Sequence, residues 1–205
     1  MQLYDYARSS CAYRVRIALA VKQLDYSAIK VDLTQDAQHE TAFLNLNPQG
    51  LVPVLIDGDR ILSQSLAIID YLEEQYPNPP LIPTTAWERA KIRSLALSIA
   101  CDIHPLNNLR VLNTLRTEWQ ADPEQIQEWY HRWLREGLST IELELAKHTR
   151  KKWFCFNDTI TLADICLIPQ IYNAKRYEFS LEAYPIIHSI YEHCTQLAAF
   201  RTAAP

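Results

Sequence analysis

Four prolines fall within Pro77-Asn78-Pro79-Pro80-Leu81-Ile82-Pro83-Thr84-Thr85-Ala86, and this stretch divides the chain. Proline lacks a backbone N–H and fixes φ, so the stretch can neither extend a helix nor sit inside a sheet. The hydrophobic period changes across it. Before it, short apolar runs alternate with helical patterns; after it, apolar residues recur at helical spacing almost to the end. The expected architecture is therefore an α/β domain over residues 1–80, a linker, and an all-helical domain over residues 87–205.

In the first domain, residues 3–6 read as a strand, 13–22 as a helix and 26–33 as a second strand with β-branched Ile29 and Val31. A strand–helix–strand unit implies a parallel pair with a right-handed crossover. Polar residues 34–40 lead to a short helical segment ending near Asn45. Residues 52–56 and 60–62 read as a hairpin around Asp57-Gly58. The helix expected over 65–76 places Leu66, Ile69, Leu72 and Tyr76 on one face. This order is a thioredoxin-like layout.

In the second domain, Ile92, Leu95, Ala96, Ile99, Ile103 and Leu106 form a stripe at helical spacing, read as core, with a kink expected at Pro105. A helix over 123–148 carries Ile126, Trp129, Trp133, Gly137, Ile141 and Leu145 in register. Thr161-Leu162-Ala163-Asp164 has the form of a capping box that starts another helix. Tyr184-Pro185 opens a last one, with Ile187, Ile190, Tyr191 and Cys194 on its inner face.

Hydrophobic residues make up 48% of the 205, enough to bury a real core. The net charge of −4 gives no general attraction to nucleic acid or anionic membranes. The local basic run at Lys147 and Arg150-Lys151-Lys152 reads as a solvated loop. Five cysteines, an odd number with no Cys-x-x-Cys pair, argue against a disulfide framework and against a zinc site. No apolar run approaches the ~18 residues of a membrane span, and no leader precedes the first strand. A cytoplasmic protein without a metal site is expected.

The chemistry gathers at Arg8-Ser9-Ser10-Cys11, where a strand runs into a helix. The N–H groups and positive dipole end of that helix favour an anion such as a thiolate, and Arg8 adds charge beside it. Ser9 or Ser10 could equally serve only as the helix cap.

A thioredoxin-like domain, a proline-rich linker and a helical domain together resemble the cytosolic glutathione transferase fold. Ser9-Ser10-Cys11, with Tyr13-Arg14-Val15-Arg16-Ile17-Ala18-Leu19 after it, resembles the zeta class, whose best-known members are maleylacetoacetate isomerases. Further matching segments are Asn47-Pro48-Gln49-Gly50-Leu51-Val52-Pro53, Gln64-Ser65-Leu66-Ala67-Ile68-Ile69, Asp102-Ile103-His104-Pro105-Leu106-Asn107-Asn108, and residues 161–176.

The resemblance implies that glutathione is the cofactor. It implies that Ser9 and Ser10 stabilise its thiolate, with Cys11 either a second active-site thiol or a small helix-start residue. Val52-Pro53 would form a cis-proline turn facing the cysteinyl part. Gln64-Ser65 would hold the γ-glutamyl carboxylate, and Gln49 joins the same binding set. Asp102, His104, Asn108 and Arg110, around the proline kink, are implied in the glutathione and substrate site, although Asn108 also reads as a helix-surface amide. Arg8 and Arg176 would meet the charge of a small dicarboxylate substrate; Arg176 could alternatively only complement a helix dipole. Asn157-Asp158 departs from the family, which places glycine before that aspartate.

The implied reaction is conversion of maleylacetoacetate to fumarylacetoacetate in tyrosine and phenylalanine catabolism. A thiolate adds to the conjugated double bond and leaves after rotation. Maleylpyruvate isomerase, a general transferase acting on α-halo acids or peroxides, a glutaredoxin-like thiol transferase and a non-catalytic binding module are the other readings. A homodimer is implied.

Overall fold

Strand β1 (Gln2–Asp5) pairs parallel with β2 (Ser27–Lys30) and antiparallel with β3 (Val54–Asp57). Strand β4 (Arg60–Ser63) pairs antiparallel with β3, so the sheet order is β2-β1-β3-β4. Tyr4 lies opposite Val54, and Val54 opposite Ser63. That register brings the C-terminal end of β1, the start of β3 and the end of β4 to one edge of the sheet. The segments that leave this edge are the ones carrying Ser9 to Cys11, Val52-Pro53 and Gln64-Ser65.

This computed structural model describes residues 1–147, 153–156 and 158–205. The chain forms two units, Met1–Leu81 with Leu197–Pro205, and Ile82–Gln196. Asn157 and the basic residues Arg150, Lys151 and Lys152 lie outside the described residues.

In the first unit, helix α1 (Ser10–Val21) crosses from β1 to β2, and a short α2 (Thr41–Leu44) precedes β3. Helix α3 (Ser65–Gln75) follows β4. Leu3 and Leu55 of the sheet, Val15 and Leu19 of α1, and Ile68, Ile69 and Leu72 of α3 are buried in the core, while Val54 joins a second cluster with Val31, Phe43 and Val52. Helix α1 starts at Ser10, earlier than expected, because the Ser9 hydroxyl caps it by accepting from Ala12 N–H at 3.2 Å. The hairpin turn is Gly58-Asp59 rather than Asp57-Gly58, since Asp57 still pairs with Arg60. Gly58 supplies the positive φ, +63°, that the turn needs.

The last helix, α9 (Ala198–Ala203), packs on α1, so the final nine residues, expected with the helical domain, belong to the first unit. Two contacts hold it there: Tyr13 Oη donates to Phe200 O at 3.2 Å, and Arg16 Nε to Ala203 O at 2.7 Å. At the other end of α1, the buried Lys22 ammonium binds Glu73 (2.7 Å) and the carbonyls of Tyr76 (2.6 Å) and Pro79 (3.0 Å), which fastens the proline stretch.

In the second unit, α4 (Ala86–Leu97) runs into a π-helical turn, Ser98–Ile103, and a 3₁₀ turn, His104–Asn107, containing Pro105. The expected break is present, but it starts at Ser98, ahead of the proline. Helix α5 (Leu109–Thr117), α6 (Pro123–Ala146), α7 (Leu162–Arg176) and α8 (Pro185–Gln196) follow. On α6 the fully buried stripe is Ile126, Tyr130, Leu134, Leu138, Ile141 and Leu145. Trp129, Trp133 and Gly137, expected on that face, flank it half-buried; the Trp129 indole needs a partner and donates to Leu106 O at 2.8 Å. Gly137 is required by close approach, since a Cβ there would collide with the Ile103 side chain. Helix α7 is buried from Leu162 to Ile171 and is anchored by Asp164, which accepts from Cys155 N–H (2.7 Å), Thr161 N–H (2.8 Å) and the Thr161 hydroxyl (2.9 Å).

Candidate active site

At the sheet edge of the first unit, Arg16 shapes the loop between β1 and α1. Its Nη1 binds both oxygens of Asp5 (2.6 and 2.8 Å) and its Nη2 the carbonyl of Ala7 (2.8 Å). Arg8 stands exposed on that loop, Cys11 is half-buried and Ser10 is buried. Ser9 is the cap of α1, yet a hydroxyl that accepts from Ala12 N–H keeps its own proton to donate. The capping and thiolate-stabilising readings are therefore compatible in one side chain.

Val52-Pro53 is cis. The loop before it is shaped by Asn47, whose amide donates to Leu51 O at 2.7 Å and accepts from Gln49 N–H at 3.2 Å. Gln64 has φ +70° and ψ 112°, a conformation rare outside glycine and often found at functional sites. The two glutamines implied in the site touch, Gln64 Nε2 donating to Gln49 Oε1 at 3.0 Å. Ser65, buried, begins α3 and accepts a hydrogen bond from Arg14 Nη1 at 3.4 Å; the same nitrogen reaches Cys11 Sγ at 3.8 Å. Hydroxyls, helix N-terminal N–H groups and a buried guanidinium are a donor set for an anionic ligand carrying a thiolate and a carboxylate.

In the second unit, Asn108 is the cap of α5, its Oδ1 accepting from Arg110 N–H at 3.1 Å, rather than a helix-surface amide. Asp102 and Arg110 are exposed and His104 half-buried. None of these four lines the cavity that Arg176 lines. That cavity has a volume of about 330 Å³ and is bounded by Arg116, Ile126, Gln127, Arg176, Tyr177 and Glu178, with Pro123 at its side.

Arg176 donates from Nη1 to Asn173 Oδ1 at 3.1 Å, and Asn173 Nδ2 donates to Tyr130 Oη at 2.7 Å. Tyr130 stacks on Tyr177 with ring centroids 3.9 Å apart. Burial raises the Tyr130 hydroxyl well above the ordinary tyrosine range, so it serves as a neutral acceptor here. Arg116 is held in the same way, Nη1 to Asn113 Oδ1 at 3.0 Å. Two oriented guanidiniums on one cavity suit a ligand with two carboxylates.

Over 99% of its length the chain is 46% identical to the probable maleylacetoacetate isomerase of Vibrio cholerae, covering 94% of that protein. Residues 3–80 match the family described as glutathione S-transferase, N-terminal domain. The chain belongs to the zeta-class glutathione transferases. A solved zeta-class structure, the holo form of a bacterial maleylpyruvate isomerase, superimposes with a TM-score of 0.98 at 43% identity, over 100% of this chain and 97% of that one. The maleylacetoacetate isomerase of Methylobacterium extorquens AM1, solved with malonate and glutathione bound, gives a TM-score of 0.95 at 38% identity, with full coverage of both chains.

Within this zeta-class frame, four residues of the two sites have no role assigned in the sequence reading: Arg14, Arg16, Arg116 and Asn173. All four had a signal. Arginines at 14 and 16 interrupt an otherwise apolar helix, and a helix buried on most sides needs a reason to hold charge. Asn113-Thr114-Leu115-Arg116 and Asn173-Ala174-Lys175-Arg176 also repeat one spacing, which places amide and guanidinium on the same helix face.

Proposed function

We propose that this chain is a glutathione-dependent isomerase that converts maleylacetoacetate to fumarylacetoacetate in the breakdown of tyrosine and phenylalanine. The observation that carries the reading is the cavity bordered by Arg116 and Arg176, two guanidiniums oriented by their own asparagines, in a zeta-class chain. Bound glutathione supplies the nucleophilic thiolate for the conjugated double bond of the acid and is returned unchanged.

The chain's own residues bind and orient. Ser9 and Ser10, with the N–H groups that open α1, stabilise the thiolate, and Arg8 adds charge at the same loop. Cys11 is a small first-turn residue rather than a second nucleophile. The backbone of Val52 beside Pro53 pairs with the cysteinyl amide. Ser65 and the N-terminus of α3 take the γ-glutamyl carboxylate, with Gln64 and Gln49 beside it. Arg176 and Arg116 hold the carboxylates of the acid. Asp102, His104, Asn108 and Arg110, none of which lines the cavity of Arg116 and Arg176, belong to the glutathione-binding set. The protein works as a cytoplasmic homodimer; no helix among the described residues is long and apolar enough to cross a membrane. A single sedimenting species of monomer mass at micromolar concentration would defeat the dimer.

The test is glutathione-dependent turnover of maleylacetoacetate and maleylpyruvate, side by side, by wild type and Arg176→Ala. Fast turnover of maleylacetoacetate, lost in the variant, is the expected result. Preference for maleylpyruvate would move the enzyme to the shorter acid, a reading favoured by the 0.98 superposition on a maleylpyruvate isomerase. Turnover of neither, with glutathione still bound, would replace isomerisation by a general transferase activity on α-halo acids or peroxides.

A further inference from the structure

Arg14 lies on α1 one turn beyond Cys11, and only 1% of it is exposed. Among the described residues it heads the fully buried side chains by size. One nitrogen is engaged, Nη1 with Ser65 Oγ and Cys11 Sγ, while Nε and Nη2 have no hydrogen-bond partner among the described residues. A guanidinium stays charged at any pH a protein tolerates. The first unit therefore holds a buried cation with two unsatisfied donor nitrogens, an arrangement that costs stability. An apolar side chain of similar length would fill the same space between α1 and α3 without that cost. Packing does not account for an arginine here.

What the guanidinium touches does account for it. Ser65 is the first residue of α3 and Cys11 lies in the first turn of α1, so Nη1 bridges the N-terminal ends of two helices at the sheet edge. We propose that Arg14 is a positioning residue for glutathione. By donating to Ser65 Oγ it occupies a lone pair and leaves the hydroxyl proton to be donated outward, to the γ-glutamyl carboxylate. Its charge stands behind that hydroxyl, in a water-poor setting where it is little screened. By reaching Cys11 as well, it sets the distance between the two helix starts that receive the carboxylate and the thiolate. The stability lost at Arg14 is thus retained for binding, as is common where strain gathers at a site. The inference rests on the reading of this edge as the glutathione site.

Calorimetric titration of glutathione, together with thermal midpoints, tests it with wild type, Arg14→Met, Arg14→Lys, Ser65→Ala and the Arg14→Met/Ser65→Ala double variant. Arg14→Met is expected to keep or raise the midpoint and to weaken glutathione binding about tenfold, the size of one hydrogen bond to a charged group. Arg14→Lys, which keeps the charge but not the planar fork, falls between. The double variant binds no more weakly than the worse single, because both changes remove one contact. Unchanged affinity in Arg14→Met, or losses that add with Ser65→Ala, overturns the proposal. Should Arg14→Met not fold, Arg14→Lys decides, and wild-type affinity in that variant overturns it. Absence of binding to the wild type would instead defeat the glutathione reading on which it rests.

Discussion

Asn173 holds Arg176: its Oδ1 accepts from Nη1 at 3.1 Å, and its own Nδ2 is fixed on Tyr130 Oη at 2.7 Å. An exposed arginine otherwise gives up on the order of 2 kcal/mol of rotamer freedom when it binds a ligand. Asn173 removes part of that loss in advance. Asn173→Ala is expected to raise KM for the dicarboxylate about three- to tenfold while glutathione affinity stays at the wild-type value. Steady-state kinetics with each substrate varied in turn checks both halves. A loss of glutathione affinity equal to the loss of substrate affinity would mean that Asn173 supports the fold, not Arg176.

Arg116 and Arg176 border one cavity from different helices, α5 and α7. If each takes one carboxylate, either Arg→Met change lowers kcat/KM by roughly ten- to a hundredfold, and the two losses add in the double variant. If both guanidiniums hold the same carboxylate, the double variant is little worse than either single. Arg116→Lys recovers part of the activity as a point charge without the bidentate fork. An Arg116→Met variant with wild-type kcat/KM on both acids would remove this residue from the site.

Much of the first unit is legible in the sequence because its signals are local. Alternating apolar residues mark the strands, and Gly58 and the prolines mark the turns. The sheet register then places Ser9, Val52-Pro53 and Gln64-Ser65 on one edge. Helix α9 is not legible: six residues, Ala198–Ala203, are too few for a hydrophobic period, and what holds them is a distant pair of donors, Tyr13 and Arg16. On α6 two tryptophans draw the expected core face off the true one, since bulky indoles count as core residues by type while Tyr130, Leu134 and Leu138 hold the buried positions. Arg116 carries no signal beyond its spacing from Asn113, for a plainer reason. An exposed arginine on an amphipathic helix is ordinary until the fold brings α7 beside it.

Arg16 is 7% exposed and spends its donors on Asp5, Ala7 and Ala203, joining the β1–α1 loop to α9. Removing one member of a buried pair leaves the other charge without its partner, at a cost of about 3–5 kcal/mol. Arg16→Met is expected to lower stability by that order in urea unfolding and to loosen the C-terminal residues. Hydrogen exchange at the amides of Phe200 to Ala204 reads the second effect. Exchange there as slow as in wild type would show that α9 is held by packing alone.

The cysteines separate by burial. Cys101 is exposed, whereas Cys155 and Cys194 are buried. Burial raises both of their thiol pKa values, and the Asp164 carboxylate raises each further. A raised thiol pKa means less thiolate at any given pH, and the thiolate is the species that attacks a disulfide reagent. Native protein treated with Ellman's reagent at pH 8 is therefore expected to label Cys101 early and to leave Cys155 and Cys194 unlabelled until denaturant is added. Raising the pH toward 9 is expected to leave Cys155 and Cys194 unlabelled, because their protection is steric as well as electrostatic. Peptide mapping of the labelled protein assigns each site. Labelling of Cys155 as fast as Cys101 would mean that the segment before α7 opens far more readily than its three hydrogen bonds to Asp164 allow.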